Sequence, residues 1–168
     1  MSFSAITQDL QRELHSNIPQ IRFLLKKSPA LAFTTINEIS AKIGKKYNLV
    51  LSLNFPERGK IEDFDSYGKE NLGMVIDKFR KTFPIQREMI KSKASEIFGD
   101  VQIQDAYMYE GKEGVRVVLD AGRLDILPAS LHVWGRFDRK VTEFCDWLLA
   151  SCYQLKPGAK GAESEVSS

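Results

Sequence analysis

The sequence predicts an α+β fold: an antiparallel sheet of about four strands with helices packed on it, preceded by an N-terminal helical hairpin, in the order αα-β-αα-βββ-α. Three observations carry that expectation. Residues 101–137 contain three consecutive runs in which every second residue is apolar, the period of a half-buried strand. Residues 49–55 repeat the pattern. Elsewhere apolar residues recur three and four positions apart, the spacing of one helix face.

Taken in order, Ile6, Leu10 and Leu14 mark a first amphipathic helix over residues 4–17, and Ile21, Leu24 and Leu25 continue it past a break at Pro19. Ser28 and Pro29 offer a helix start, with Thr35 and Glu38 as a competing capping box. Phe33, Ile36, Ile39 and Ile43 then form one stripe ending near Gly44, so residues 1–47 read as the helical hairpin. Residues 48–155 form the sheet-and-helix domain. It opens with the strand 49–55, where Leu49, Leu51, Leu53 and Phe55 face one way and Val50, Ser52 and Asn54 the other. A polar, charged connection follows to about Lys69. The spacing of Leu72, Val75, Ile76, Phe79 and Phe83 predicts a helix stopped by Pro84, and Ile85, Met89, Ile90, Ile97 and Phe98 predict a second, closed by Gly99.

In the three-strand stretch, Val101, Ile103, Tyr107 and Tyr109 share a face, then Val115, Val117, Leu119 and Ala121, then Leu131, Val133, Gly135 and Phe137. The connection Gly111-Lys112-Glu113-Gly114 is of hairpin type. Asp138 caps a last helix lined by Val141, Phe144, Cys145, Leu148 and Cys152, and residues 156–168 lack any apolar pattern and read as a disordered tail.

With 24 Lys and Arg against 22 Asp and Glu the net charge is +2, too small to announce a nucleic-acid or membrane partner by bulk electrostatics. Cys145 and Cys152, seven residues apart on one helix, would sit about 10 Å apart, beyond the roughly 7 Å limit for a disulfide. Two buried thiols fit a reducing compartment, and with no apolar run of transmembrane length and no signal-peptide pattern the expected location is the cytoplasm.

The faces opposite the apolar ones collect the candidate site: Arg116 and Asp120 on one strand, His132, Trp134 and Arg136 on another. A Trp flanked by guanidinium groups is the chemistry of a binding face, with Trp134 as anchor and the arginines orienting an anionic partner. The leading expectation is therefore a non-catalytic adaptor engaging a protein partner or a second subunit. Two alternatives come from other classes. Lys78, Arg80, Lys81, Arg87, Lys91 and Lys93 give the middle helices a basic side for a nucleic-acid backbone, opposed by Asp77, Glu88 and Glu96. Asp120, His132 and Arg136 around a pocket would make a small ligand-binding domain or enzyme.

Other motifs are excluded on their residues. The segment 34–44 has the cadence of the first helix of a helix-turn-helix, yet a strand follows where a recognition helix is needed. Glu62, Asp63 and Asp65 lack EF-hand spacing, the two His and two Cys make no zinc pattern, and no glycine-rich phosphate loop is present, so neither a metal nor a cofactor is expected. The order β-αα-βββ-α resembles the front half of the GNAT acyltransferases. The junction Gly135-Arg136-Phe137-Asp138-Arg139-Lys140 lacks the glycines that grip coenzyme A there, which sets that family aside. The order also resembles a truncated helix-grip fold, with no residue motif to support it.

Overall fold

Helical and strand periods divide the chain much as expected, and a computed structural model describes residues 2–54, 72–77, 85–120, 122–135 and 137–153. Three helices come first, α1 (Phe3–Ser16), α2 (Ile18–Lys27) and α3 (Pro29–Lys46), followed by strands β1 (Val50–Asn54) and β2 (Leu72–Asp77). Helix α4 (Arg87–Phe98) precedes β3 (Gln102–Tyr109), β4 (Lys112–Leu119), β5 (Gly122–Ile126) and β6 (Leu131–Gly135). Helix α5 (Arg139–Trp147) then runs into a π-helical segment, Leu148–Cys152.

The fold is α+β with an antiparallel sheet in the order β1-β2-β6-β5-β4-β3. One sheet face carries Leu51, Leu53, Met74, Ile76, Leu131, Val133, Leu124, Ile126, Val115 and Val117, all buried. These join Ile6, Leu10, Leu14, Ile36, Ile43, Val141, Phe144 and Leu148 of the helices in one hydrophobic cluster. At about 1.5–3 kcal/mol for each fully buried large apolar side chain, this layer is what drives the helices onto that face.

Among the described residues six strands replace about four. Residues 72–77, expected as helix, are β2: Leu72, Val75 and Ile76 fit a helical spacing, but Met74 and Ile76 also alternate with Gly73, Val75 and Asp77. Over six residues the two periods cannot be separated, and the sheet decides, since β2 pairs on both sides with β1 and β6. Phe79 and Phe83, which extended the helical reading, lie outside the described residues, as does the tail 156–168. The second added strand is β5, whose Leu124 and Ile126 face the core.

The expected N-terminal hairpin is a three-helix array, because Asn17-Ile18-Pro19 and Ser28-Pro29 each end one helix and begin another. The β3–β4 turn is also tighter than expected. It consists of Glu110 and Gly111 alone, both at positive φ (48° and 76°), as a two-residue hairpin matching the strand twist requires.

Polar staples fix the helices. At the start of α1, Ser4 donates from its backbone N–H to Asp146 Oδ1 (3.1 Å) and from its hydroxyl to Oδ2 (2.7 Å), so a carboxylate of α5 satisfies a free helix-end donor. Buried Asp9 accepts from the Tyr47 hydroxyl, from Lys46 Nζ (2.9 Å) and from Arg12 Nη1 (3.0 Å), tying α1 to the end of α3. Burial pushes the Asp9 pKa up, but the hydrogen bonds from Tyr47, Lys46 and Arg12 outweigh it and hold the carboxyl below its ordinary value. Burial, with the Asp9 hydrogen bond, pushes the Tyr47 phenol up to about 12.

Both sheet edges are blunted. The β1 edge donates Leu53 N–H to Asn37 Oδ1 of α3 (3.1 Å). On the β3 edge a bulge between Gln104 and Tyr107 interrupts the ladder, and Arg87 Nε donates to the Asp105 carbonyl (2.6 Å).

A depressed carboxyl stabilises the fold above its unfolded pKa and loses that share as pH falls through the folded value. Asp9→Asn should therefore cost about 1–3 kcal/mol at pH 7 in denaturant unfolding. The gap from the parent should narrow as pH drops below about 4.

Candidate functional site

The sheet face turned away from the helical core is built by the same alternation. Across the middle strands the register aligns Val75 of β2 with His132 of β6 and Asp125 of β5, and Asp125 with Arg116 of β4. One step along, Gly73, Trp134, Arg123 and Val118 line up in turn. This outer face thus holds two cross-strand rows, one led by a carboxylate and one by an indole.

Asp125 is the centre of the first row, only 2% exposed. Arg116 grips it twice, Nε to Oδ1 (2.7 Å) and Nη2 to Oδ2 (3.1 Å), and Arg123 Nε adds a long contact to Oδ2 (3.5 Å). The doubled bond from Asp125 raises the Arg116 pKa further, so that guanidinium stays charged. Its plane rests on Tyr107, 4.0 Å from the ring centroid, while Arg123 rests on Trp134 at 5.2 Å. The Trp134 ring in turn reaches over Gly73 of β2. A Cβ at Gly73 would come within 2.6 Å of its ring, so only glycine leaves room for the indole there.

Tyr107 and Tyr109 belong to this face, which corrects the expectation that they share a side with Val101 and Ile103. The bulge inserts one residue between Gln104 and Tyr107, and with a side-chain period of two a single extra residue turns all that follows over. Tyr109 therefore meets His132 edge to face, ring centroids 5.0 Å apart. His132 is 8% exposed, and its Nε2 lies 3.2 Å from Ser130 Oγ. Burial lowers its pKa, with Arg123 in the same direction and Asp125, Asp77 and Glu110 against, so the imidazole is neutral at pH 7. The β5–β6 turn carrying Ser130 is clamped from the core side: the Tyr153 hydroxyl reaches the carbonyls of Leu127 (2.6 Å) and Ser130 (2.9 Å).

One recess opens on this face, and a second lies at the sheet end against Phe98 of α4 and Val141 of α5. The first, of about 600 Å³, is lined by Tyr107, Tyr109, Arg123, Asp125, His132 and Trp134, with Asp77, Glu110 and Lys112 among its remaining walls. The other, of about 530 Å³, holds Asp120, Gln102, Val118, Asp138 and Lys140 and shares Trp134 with the first. Arg116, His132 and Trp134 are thus brought onto one face. Asp120 is exposed at the end of β4 and lines the second recess, so it does not share a pocket with His132. Arg136 lies outside the described residues.

Of the basic set expected for nucleic acid, Lys78, Arg80 and Lys81 also lie outside the described residues. The other three are committed to neighbours. Arg87 pairs with Glu113 (2.8 Å), Lys91 with Asp105 (3.3 Å) and Glu88 (3.7 Å), and Lys93 with Glu96 (3.0 Å). Among the described residues no cluster of three or more His, Cys, Asp or Glu side chains could hold a metal ion, and no helix is long and apolar enough to cross a membrane. Cys145 and Cys152 are buried thiols whose pKa values are pushed up by desolvation, Cys152 to about 11.

Sequence reasoning missed Arg123, Asp125 and Ser130. A signal was available: Gly122-Arg123-Leu124-Asp125-Ile126 alternates polar and apolar residues before Pro128, the pattern of an exposed-face strand.

No protein-family model, curated protein or solved structure matches the chain.

Removing Asp125 leaves two guanidiniums without their shared counter-ion. Asp125→Ala should destabilise by about 3–5 kcal/mol, and the double variant Arg116→Met/Asp125→Leu should recover most of that in the same unfolding assay.

Proposed function

We propose that the protein is a non-catalytic binding protein, an adaptor that engages a protein partner through the outer sheet face. The observation carrying this reading is Trp134, a large aromatic fixed between Gly73 and Arg123 in a recess that no described helix residue lines. A rigid indole bordered by a guanidinium presents much contact area at little entropic cost, the profile of an interface anchor. Arg116 supports the surface without meeting the partner, because Asp125 occupies it. Arg123 takes over the orienting role that the sequence suggested for Arg116.

Catalysis gains no support from the geometry. Among the described residues the Ser130–His132 contact has no carboxylate hydrogen-bonded behind the imidazole: both Asp125 oxygens face guanidinium groups.

Panning a random peptide library on the protein tests the reading. Selected peptides should bind Trp134→Ala at least tenfold more weakly than the parent, and their addition should shift the NMR signals of Trp134, Arg123 and His132. Peptides that bind both proteins alike, or that shift only helix residues, would overturn it. Trp134→Phe, which keeps a ring against Gly73, serves if the alanine variant does not fold.

A further inference from the structure

We infer that the recess beside His132 receives a single carboxylate joined to a flat or apolar group, and that Arg123 is its anchor; this deepens, and rests on, the binding reading above. The charges around Asp125 set the sign. Arg116 satisfies both carboxylate oxygens, so the two guanidiniums against one carboxylate leave one positive charge in excess. That excess sits on Arg123. It touches Asp125 only through Nε at 3.5 Å, its side chain is 40% exposed, and neither terminal nitrogen has a bond to a described residue. Two parallel N–H groups lying over an indole are the fork that carboxylates accept bidentately.

The surroundings set the rest. Tyr107, Tyr109, His132 and Trp134 give the recess ring edges and faces, and Leu127 and Ala129 add an apolar floor, so the anion's neighbour is flat or apolar. About 600 Å³ lies within the usual range for sites that enclose a small molecule or one projecting group. The recess also contains Asp77 and Glu110, but at its other end. Gly73 is level with Trp134 and Arg123, and Asp77 lies four strand positions further along β2. Lys112 lines that far end as well. One excess charge at the near end suits a monoanion; a phosphate dianion would bring uncompensated charge against Asp125.

The same chemistry is offered by a free aromatic acid and by an acidic side chain beside an aromatic one in a partner segment. Four probes separate these. Benzoate is compared with benzyl alcohol, and the capped dipeptide N-acetyl-Phe-Glu-amide with N-acetyl-Phe-Gln-amide, each titrated while following the Trp134 indole N–H by NMR. At least one acid should bind tenfold or more tighter than its neutral counterpart. That preference should fall below threefold in Arg123→Gln and be partly kept in Arg123→Lys, which retains charge without the fork. A preference seen with benzoate alone assigns the site to a free acid, and one seen with the dipeptide assigns it to a partner's side chain. Equal binding of acid and neutral probes, a preference unchanged in Arg123→Gln, or no saturable shift with any probe would each overturn the carboxylate assignment. Trp134-dependent peptides without acidic residues would then leave the binding reading standing, so the two failures are distinguishable.

Discussion

A buried carboxylate sets the terms for the outer half of this molecule. Asp125 is almost wholly shielded from water, and an ion there persists only with a counter-ion and satisfied lone pairs. Arg116 supplies both from the neighbouring strand, and Tyr107 backs the guanidinium from the next one. For Tyr107 to be there, β3 must carry its bulge, since without the extra residue the tyrosine would point into the helical core. Arg123 follows as the surplus cation, Trp134 as the surface it rests on, and Gly73 as the gap that admits the indole. A chain of dependencies therefore runs from β3 across five strands to β2, each member placed by the next.

The helices hold the other face by a different means. Their contribution is apolar burial in one cluster, with polar groups used only to fix angles: Asp146 at the head of α1, Asp9 between α1 and the end of α3, and Asp138, whose carboxylate accepts from the Val141 N–H at the start of α5. Tyr153 couples the two halves. It is packed in the core, yet its hydroxyl ends on the turn that presents Ser130 to His132. Burial pushes its phenol pKa well up, so this clamp stays protonated across the ordinary pH range.

Much of this was legible in the residues. Helical stripes in α1, α3 and α4, and the alternation in β1, β4 and β6, identify those elements and sort the apolar from the polar side of the strands, because in each the apolar residues follow one period over enough length; which helices cover the apolar face is not readable from them. The failures share a cause. In β2 six residues satisfy both periods, and only pairing with β6 resolves them. In β3 the alternation is broken by a bulge that no residue type announces, so Tyr107 and Tyr109 were assigned to the wrong side. The pairing of Arg116 with Asp125 could not be seen while β5 was unrecognised, and that pairing is what moves the free guanidinium from Arg116 to Arg123.

On the binding reading, Trp134 stands on an accessible face with a local positive charge beside it. Fluorescence quenching of the Trp147→Phe variant, in which Trp134 is the sole tryptophan, reads this directly. Iodide should quench clearly more efficiently than caesium, since Arg123 over the indole draws anions and repels cations, and the difference should fade with added salt. Protection from both ions in dilute protein would mean that the face is already covered, which rules the binding reading out.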